Sequence, residues 1–289
     1  MRYRFLCYPE FKHKAVTLSY DDGVRQDVKF IEKIEKYGFK CTFNLNSAFI
    51  GKVEGEGRLT YSEAKTHILN NGHEIAVHGD CHCAPGICSP IKTTRDVLDC
   101  RLRFEKEFGM IIRGMAYPDS GIRNFQNGAD YATIKQILEN LGIRYSRSLG
   151  GDNNTFKLPT DWHNWIPTCH HNNPEALNWA KEFAELQIDS TYCSSRWPRL
   201  FYIWGHTYEF DNNNNWERID EIGEILGNRD DIWYATNLEI CEYVKAYESL
   251  VFSADETMVY NPTVKKIWFE VDGKPFEILP DQTISIVAE

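Results

Sequence analysis

Short apolar runs alternate with amphipathic segments along most of this chain, and that alternation restricts the folds open to it. Strands that alternate with helices imply parallel βαβ units. About seven such units in roughly 250 residues favour a barrel over two doubly wound halves. We predict strands at residues 15–19, 41–45, 74–77, 111–117, 145–149, 165–168, 200–204 and 232–236, and helices at 26–37, 61–69, 93–108, 131–141, 176–186, 219–226 and 238–250.

The last forty or so residues have a different pattern. Four short strand-like runs follow one another there, and Asp272-Gly273 between two of them is a hairpin signal. We therefore predict an α/β protein in two parts, a barrel over residues 1–250 and a small β-rich appendage over residues 251–289 that packs on it. The predicted strands of the appendage are residues 257–260, 267–271, 276–279 and 283–287.

The charge and the cysteines limit the partners and the location. A net charge of −10 argues against nucleic acid or an anionic membrane as the main partner. Residues 1–7 lack the apolar run of a secretion signal, and no window approaches the ~18 apolar residues of a membrane span. The nine cysteines are scattered, so we expect mostly reduced thiols in a cytoplasmic protein. The oligomeric state is not predicted.

Polar clusters follow five of the predicted strands. In a parallel barrel the active site lies at the carboxyl ends of the strands. Five polar clusters at such ends therefore indicate one shared site. The clusters are Asp21-Asp22, His78 with His82, Pro118-Asp119, His170-His171 and His206.

The first two clusters have the composition of a metal hydrolase site. Asp21 and Asp22 can face one site only if the strand has ended, and Gly23 makes that turn easy. Two close carboxylates repel unless a cation lies between them. One carboxylate could then bind metal while the other takes a proton from water. The spacing of His78 and His82 places two imidazoles on one face of a helical turn.

Other readings of these residues stay open. The Asp-Asp-Gly sequence is common in loops and helix caps, and a single buried histidine is usually structural. Cys81, Cys83 and Cys88 together with His82 could instead form a structural zinc site, although Cys-x-Cys-x4-Cys is not a standard spacing. After a further apolar run, His206 is a candidate general acid, and Trp204 beside it could line an acyl or sugar pocket or pack in the core.

Taken in order, these motifs resemble those of the polysaccharide deacetylase family, which includes the chitin and peptidoglycan N-deacetylases. The resemblance rests on residues 17–23, His78-x-x-x-His82, Tyr117-Pro118 and His206, and covers roughly residues 15–250. It implies a distorted (β/α)7 barrel that removes acetyl groups from N-acetylated sugars or related amides with one divalent metal, zinc first, cobalt or nickel otherwise. By this resemblance Asp21 is the base, Asp22, His78 and His82 bind the metal, and His206 is the acid; the candidates for substrate binding are Tyr117, Pro118, Asp119, Trp162, His170 and Trp204.

The sequence also departs from the family pattern. Relatives usually carry an arginine that braces the base, and alignment on Pro118 places Ala116 there; Arg113 and Arg123 are possible substitutes, but neither is in register. We therefore expect Asp21 to lack its arginine partner and to have a raised pKa. This indicates a divergent branch with a smaller or different substrate.

The partner of the acid is a second departure. The Asp161-Trp162 pair precedes a predicted strand instead of following one, so either Asp161 or His170-His171 could support His206. Two alternative functions remain: hydrolysis of a non-sugar amide at the same metal site, and carbohydrate binding without catalysis on a degenerate barrel.

Overall fold

The central sheet of the protein is parallel, and its strands alternate with helices. A computed structural model describes residues 3–52, 57–188 and 196–287. The strands are β1 (Arg4–Cys7), β2 (Lys14–Asp21), β3 (Cys41–Leu45), β4 (Glu74–Val77), β5 (Gly114–Ala116), β6 (Tyr145–Arg147), β7 (Cys169–His170), β8 (Arg199–Gly205), β9 (Ile232–Tyr234), β10 (Val251–Phe252), β11 (Met258–Tyr260), β12 (Ile267–Val271), β13 (Lys274–Ile278) and β14 (Thr283–Ser285). The helices are α1 (Gln26–Glu35), α2 (Tyr61–Glu63, continued as a π-helical turn over Ala64–Leu69), α3 (Pro90–Phe108), α4 (Tyr131–Asn140), α5 (Ala176–Glu185), α6 (Tyr208–Asn212), α7 (Glu217–Leu226) and α8 (Asn237–Glu248).

Seven of these strands form the wall of the barrel. They pair in the order β6-β5-β4-β3-β2-β8-β7, and β9 pairs with the first residues of β2. β6 is joined to the segment that leads into β7 by two hydrogen bonds, from Trp165 N–H to Ser146 O (3.1 Å) and from Ser148 N–H to Trp165 O (3.0 Å). The prediction of a distorted (β/α)7 barrel is confirmed.

Alternate residues of β2 face two different layers. Val16, Leu18 and Tyr20 belong to the apolar core between the sheet and the helices. The residues between them form polar contacts in the barrel interior, where Thr17 Oγ1 donates to Asn237 Oδ1 (2.9 Å) and Ser19 Oγ accepts from the Asn44 side chain (2.8 Å). This inward row of β2 ends at Asp21.

Several element boundaries differ from the predicted ones. The helix predicted at 93–108 begins at Pro90, because Ser89 caps it and proline fits the first turn. The strand predicted at 165–168 is only a bridge, since Pro167 has no N–H to donate, and β7 begins at Cys169. The strand predicted at 111–117 is limited to Gly114–Ala116.

The carboxyl-terminal strands lie in two small antiparallel sheets. One is β10-β11-β14; the other, β1-β12-β13, also contains the first strand of the chain. The hairpin at Asp272-Gly273 joins β12 and β13, and both residues have positive φ (49° and 80°). The pairing of β1 with β12 was not predicted from the sequence. One apolar cluster joins these sheets to the barrel through residues that include Leu6, Tyr243 and Phe269. The domain boundary at residue 250 stays a prediction.

The described helices and cysteines bear on two features, membrane spans and disulfide bonds. None of the described helices is both long and apolar enough to cross a membrane. The eight cysteines that the structure describes are free thiols.

Candidate metal centre and active site

The carboxylates after β2 are separated by a change of backbone conformation. Asp21 is the last residue of β2, and Asp22 follows it with a φ of 82°. The Asp22 N–H still donates to Asn44 O on β3 (2.9 Å). Because the left-handed residue ends the alternation of the strand, two consecutive side chains can face the same cavity.

Asp22, His78 and His82 bring three metal-ligand atoms together. These atoms lie within 4.8 Å of one another. Asp22 Oδ1 is 3.6 Å from His82 Nε2 and 4.0 Å from His78 Nε2. The two histidines follow β4 in an irregular loop, with φ values of 75° at Gly79 and 58° at His82, so the expected helical turn is absent.

The donor set fits a divalent transition metal. One carboxylate oxygen and two imidazole nitrogens are ligands that zinc accepts while keeping a position open. His78 Nδ1 lies 2.9 Å from the Ala116 carbonyl, which assigns its proton to Nδ1 and leaves the Nε2 lone pair for a metal. Burial lowers the pKa of His78 to about 4 although Asp21 and Asp22 oppose this, so the ring is neutral at physiological pH.

The rival zinc site at the cysteines has no such geometry. Among the described residues, the clustered ligand atoms include neither Cys81, Cys83 nor Cys88. Cys81 Sγ instead lies 3.4 Å from a carboxylate oxygen of Asp80, and its pKa is raised by burial and by that carboxylate. The geometry therefore does not favour the structural-zinc reading.

Asp21 is braced by an arginine that the sequence analysis did not assign. Asp21 accepts hydrogen bonds from Asn44 Nδ2 (2.8 Å) and from Arg147 Nη2, and the Arg147 side chain is fully buried. Burial raises the pKa of Asp21, but Arg147 and the nearby His78 outweigh it, so the pKa is lowered. The expectations of an unpaired base and a raised pKa are therefore wrong. The candidate Arg113 instead pairs with Glu242.

His206 lies on the other side of Asp21. Its Nε2 is 3.9 Å from Asp21 Oδ2, and its Nδ1 is 3.4 Å from Glu209 Oε1. Burial lowers the pKa of His206, but the carboxylates of Glu209 and Asp21 outweigh burial and raise it. The Trp204 ring lies beside this group, with its centroid 5.9 Å from that of His206 and 4.7 Å from that of His170. Sequence reasoning missed Glu209, whose only signal was the His-x-x-Glu spacing.

A sequence comparison relates part of the chain to a known family. The sequence model of the polysaccharide deacetylase family matches residues 9–146. The matched stretch is just under half of the chain, and over it the sequence is similar to the polysaccharide deacetylases. The matched stretch contains Asp21, Asp22, His78 and His82 and ends just before Arg147. The family match supports a hydrolase over the part of the chain that it covers.

Solved structures of low sequence identity share the fold of this chain. A family 4 carbohydrate esterase from Streptomyces lividans in complex with acetate is 11% identical, with a TM-score of 0.50 over 78% of this chain and 93% of that one. The Xyl-CE4 domain of a multidomain xylanase from the hindgut metagenome of Trinervitermes trinervoides is 16% identical, with a TM-score of 0.51 over 81% and 92%. The deacetylase PplD of Streptococcus pyogenes is 18% identical, with a TM-score of 0.40, and the match spans 47% of this chain and 55% of PplD. No curated protein matches the chain.

Two of the predicted substrate-binding residues are not placed to touch a substrate bound at this site. The Tyr117 hydroxyl donates to His163 O (2.8 Å), its N–H donates to Arg147 O (3.0 Å), and the side chain is buried. Trp162 packs on Trp165 and beneath Lys245. Lys245 Nζ in turn donates to the carbonyl of residue 144, before β6 begins, so Trp162 lies towards the end of β6 opposite Arg147.

The remaining predicted residues lie near the strand ends. Asp119 follows the buried Pro118, is exposed and has a φ of 50°. Among the described contacts its N–H donates to no protein acceptor.

Asp161 accepts hydrogen bonds from Tyr131 Oη (2.7 Å) and Lys135 Nζ (3.0 Å). Asp161 is therefore not the partner of His206.

Proposed function

We propose that this protein removes an acetyl group from an N-acetylated sugar, as a polysaccharide deacetylase, using one divalent metal, zinc in the first instance. The observation that carries the proposal is the position of Asp21 between the two halves of the site. Its Oδ2 is 3.9 Å from His78 Nε2 on the metal side and 3.9 Å from His206 Nε2 on the other. A base flanked by a metal trio and by an imidazole whose pKa is raised is the arrangement that amide hydrolysis needs.

The residues of the chain divide the reaction among them. A divalent cation held by Asp22, His78 and His82 would polarise the acetyl carbonyl and make a water more acidic. Asp21, kept ionised by Arg147, takes the proton from the attacking water. His206 then gives a proton to the departing amine nitrogen. The Asp119 N–H is our candidate donor to the developing oxyanion.

The rings near the acid support a sugar as substrate. Trp204 is half-buried and the Arg147 guanidinium lies over its ring (4.6 Å), so one ring is held in place at the edge of the site. Together with His170 it offers an aromatic wall of the kind on which sugar faces stack. The alternative of carbohydrate binding without catalysis rested on the missing arginine partner of Asp21. Arg147 supplies that partner, so this reason for the alternative no longer holds. We retain the cytoplasmic location as part of the proposal.

The experiment measures metal content and acetate release separately. We expect about one divalent metal per chain, lost in His78→Ala and His82→Ala. Asp21→Asn and His206→Ala should keep the metal and the fold, yet turn over N-acetylated oligosaccharides roughly 100- to 10,000-fold more slowly.

Cys83→Ser serves as the matched control and should keep both metal and activity. A fully active Asp21→Asn enzyme would contradict the mechanism. Activity on non-sugar amides with none on acetylated sugars would move the function to that alternative.

A further inference from the structure

The side chain of Glu209 contacts the candidate acid, His206, and the neighbouring ring of His170. It is held close to His206 by a local turn, in which the His206 N–H donates to Glu209 Oε2 (3.1 Å) and the Glu209 N–H donates to His206 O (3.1 Å). Glu209 Oε1 faces His206 Nδ1 at 3.4 Å, and Oε2 lies 3.0 Å from His170 Nε2. Oε2 therefore faces two donors, while Oε1 lies within ion-pair distance of His206 Nδ1, a buried nitrogen with no hydrogen-bond partner among the described residues.

A hydrogen bond from a neighbouring backbone N–H determines which ring nitrogen of His170 carries the proton. The Asn172 N–H donates to His170 Nδ1 (3.1 Å), so that nitrogen carries the lone pair. In a neutral ring the proton is then on Nε2, and it points at Glu209 Oε2. His170 is therefore a donor to Glu209, and Glu209 an acceptor from His206.

We propose, on the basis of the proposed function, that Glu209 is the positioning residue of the acid and that His170 holds Glu209 in place. Glu209 keeps the Nδ1 proton of His206 in place, so that Nε2 is directed at Asp21 and at the departing nitrogen. The carboxylate is acceptor-only, which matches the donors at Oε2 and a proton on His206 Nδ1. The role that Asp161 was expected to fill belongs to a residue three positions after the acid itself.

A second cation is the main rival for the same residues. Ligand atoms of His170, His171 and Glu209 lie within 4.8 Å of one another, and neither ring nitrogen of the buried His171 has a hydrogen-bond partner among the described residues. The tautomer of His170 opposes this reading, because its Nε2 carries a proton where a metal ligand needs a lone pair.

Charged groups of several elements face the His206 ring. Asp21 at the end of β2 and Glu209 of α6 are the two nearest carboxylates. The Tyr208 ring lies against that of His206, with the two centroids 5.2 Å apart. Burial and the neighbouring carboxylates raise the pKa of Tyr208 to about 12, so it is neutral. Removing the charge of Glu209 leaves Asp21 as the main group that stabilises the protonated ring, and the pKa of His206 should fall.

The test compares Glu209→Gln with wild type as full-length, zinc-loaded proteins. The glutamine side chain of this variant would direct an N–H₂ group at one of the donors and carries no charge. We expect amide turnover to fall about 10- to 100-fold through kcat, with KM and metal content unchanged. The alkaline limb of the rate profile should move to lower pH. Hydrolysis of an activated aryl acetate should change less than about threefold, because its leaving group needs no proton.

Other variants separate positioning from folding. His170→Leu removes the N–H that faces Glu209 and should show a smaller loss of the same kind. Glu217→Gln, an exposed glutamate at the start of α7, is the matched control. A parallel ¹⁵N spectrum of the histidine rings should show His206 protonated at Nδ1 in wild type and a mixture of tautomers in Glu209→Gln.

Each outcome decides between the readings. Equal losses on amide and ester, or an unchanged alkaline limb with an unchanged ¹⁵N spectrum, would overturn the proposal. So would a second metal equivalent that disappears in Glu209→Gln or His170→Leu. If the wild-type protein releases no acetate from any amide, the proposed function fails, but the ¹⁵N spectrum still tests the role of Glu209 by itself.

Discussion

Asp21 and Arg147 form a buried ion pair between residues 126 positions apart in the chain. Both side chains are nearly or fully buried, so neither charge is well solvated. Breaking a buried pair by removing one partner leaves an uncompensated charge, which costs far more than the net worth of the pair. The base of the site is therefore also a structural group.

For Arg147→Met we expect both activity and stability to fall. Without the guanidinium, the pKa of Asp21 rises, so the acidic limb of the rate profile should move to higher pH. The free energy of unfolding at pH 7 should drop by about 3–5 kcal/mol. Urea unfolding and a pH–rate profile measure the two effects.

The matched control for this variant is Arg113→Met, which removes a partly exposed partner of Glu242. It should leave the rate profile unchanged. An Arg147→Met enzyme with the wild-type acidic limb would show that Asp21 is held ionised by other groups.

Helix α1 is fixed to the segment after β8 by one buried hydrogen bond. Thr207 Oγ1 donates to Asp27 Oδ1 (2.6 Å), and Asp27 Oδ2 is buried with no hydrogen-bond partner among the described residues. Burial raises the pKa of Asp27 to about 8, and the nearby carboxylates of Asp21 and Asp22 add to this although Thr207 opposes it. The helix is thus attached next to His206 by a carboxyl group that stays protonated at neutral pH.

Asp27→Asn should stabilise the protein at neutral and mildly alkaline pH. An aspartate with an unfolded pKa of ~3.9 and a folded pKa of about 8 contributes most stability below about pH 4 and loses that contribution as the pH rises towards 8. Asparagine does not ionise, so the gain should be roughly 1–3 kcal/mol at pH 8 and close to zero at pH 4.

Calorimetry at both pH values and in one metal-loading state checks this prediction. The exposed Asp99→Asn is the control and should show no such trend. Equal effects at pH 4 and pH 8 would mean that Asp27 is ionised in the folded protein.

The elements show which features a single sequence reveals. Strand ends at Asp21, His78 and His206 could be predicted, because apolar runs mark strands and polar residues mark where they stop. Arg147 could not, since its partner depends on which strand lies across the barrel from β2. Trp162 was misplaced for a related reason: its position in the chain says little about which end of the barrel a loop reaches.

At the scale of the whole molecule, the first strand and the last forty residues are one structural unit. β1 pairs with β12, and the apolar cluster around them contains Leu6, Tyr8 and Phe269 as well as Ile240 of α8. Removing the carboxyl-terminal sheets would leave β1 without a partner and would expose this cluster to water.

A chain cut near Ala254 should therefore lose solubility or thermal stability before it loses the metal. The milder variant Phe269→Ala should lower the free energy of unfolding by about 3–5 kcal/mol, because the ring is fully buried. Val264→Ala, at a side chain that is 90% exposed, is the control. A truncated chain that stays stable but no longer binds substrate would instead give the appendage a functional role.

The hydrogen bond from the Tyr3 N–H to Asp272 Oδ1 spans 269 positions of the chain. During synthesis at about 5–20 residues per second, the motif strands β2 to β4 emerge long before residue 272. Until β12 is synthesised, β1 has no partner strand, so its backbone N–H and C=O groups stay unpaired for most of translation. A chaperone that binds nascent chains would find its target in Phe5 and Leu6, and a pause in translation late in the message would lengthen that exposure.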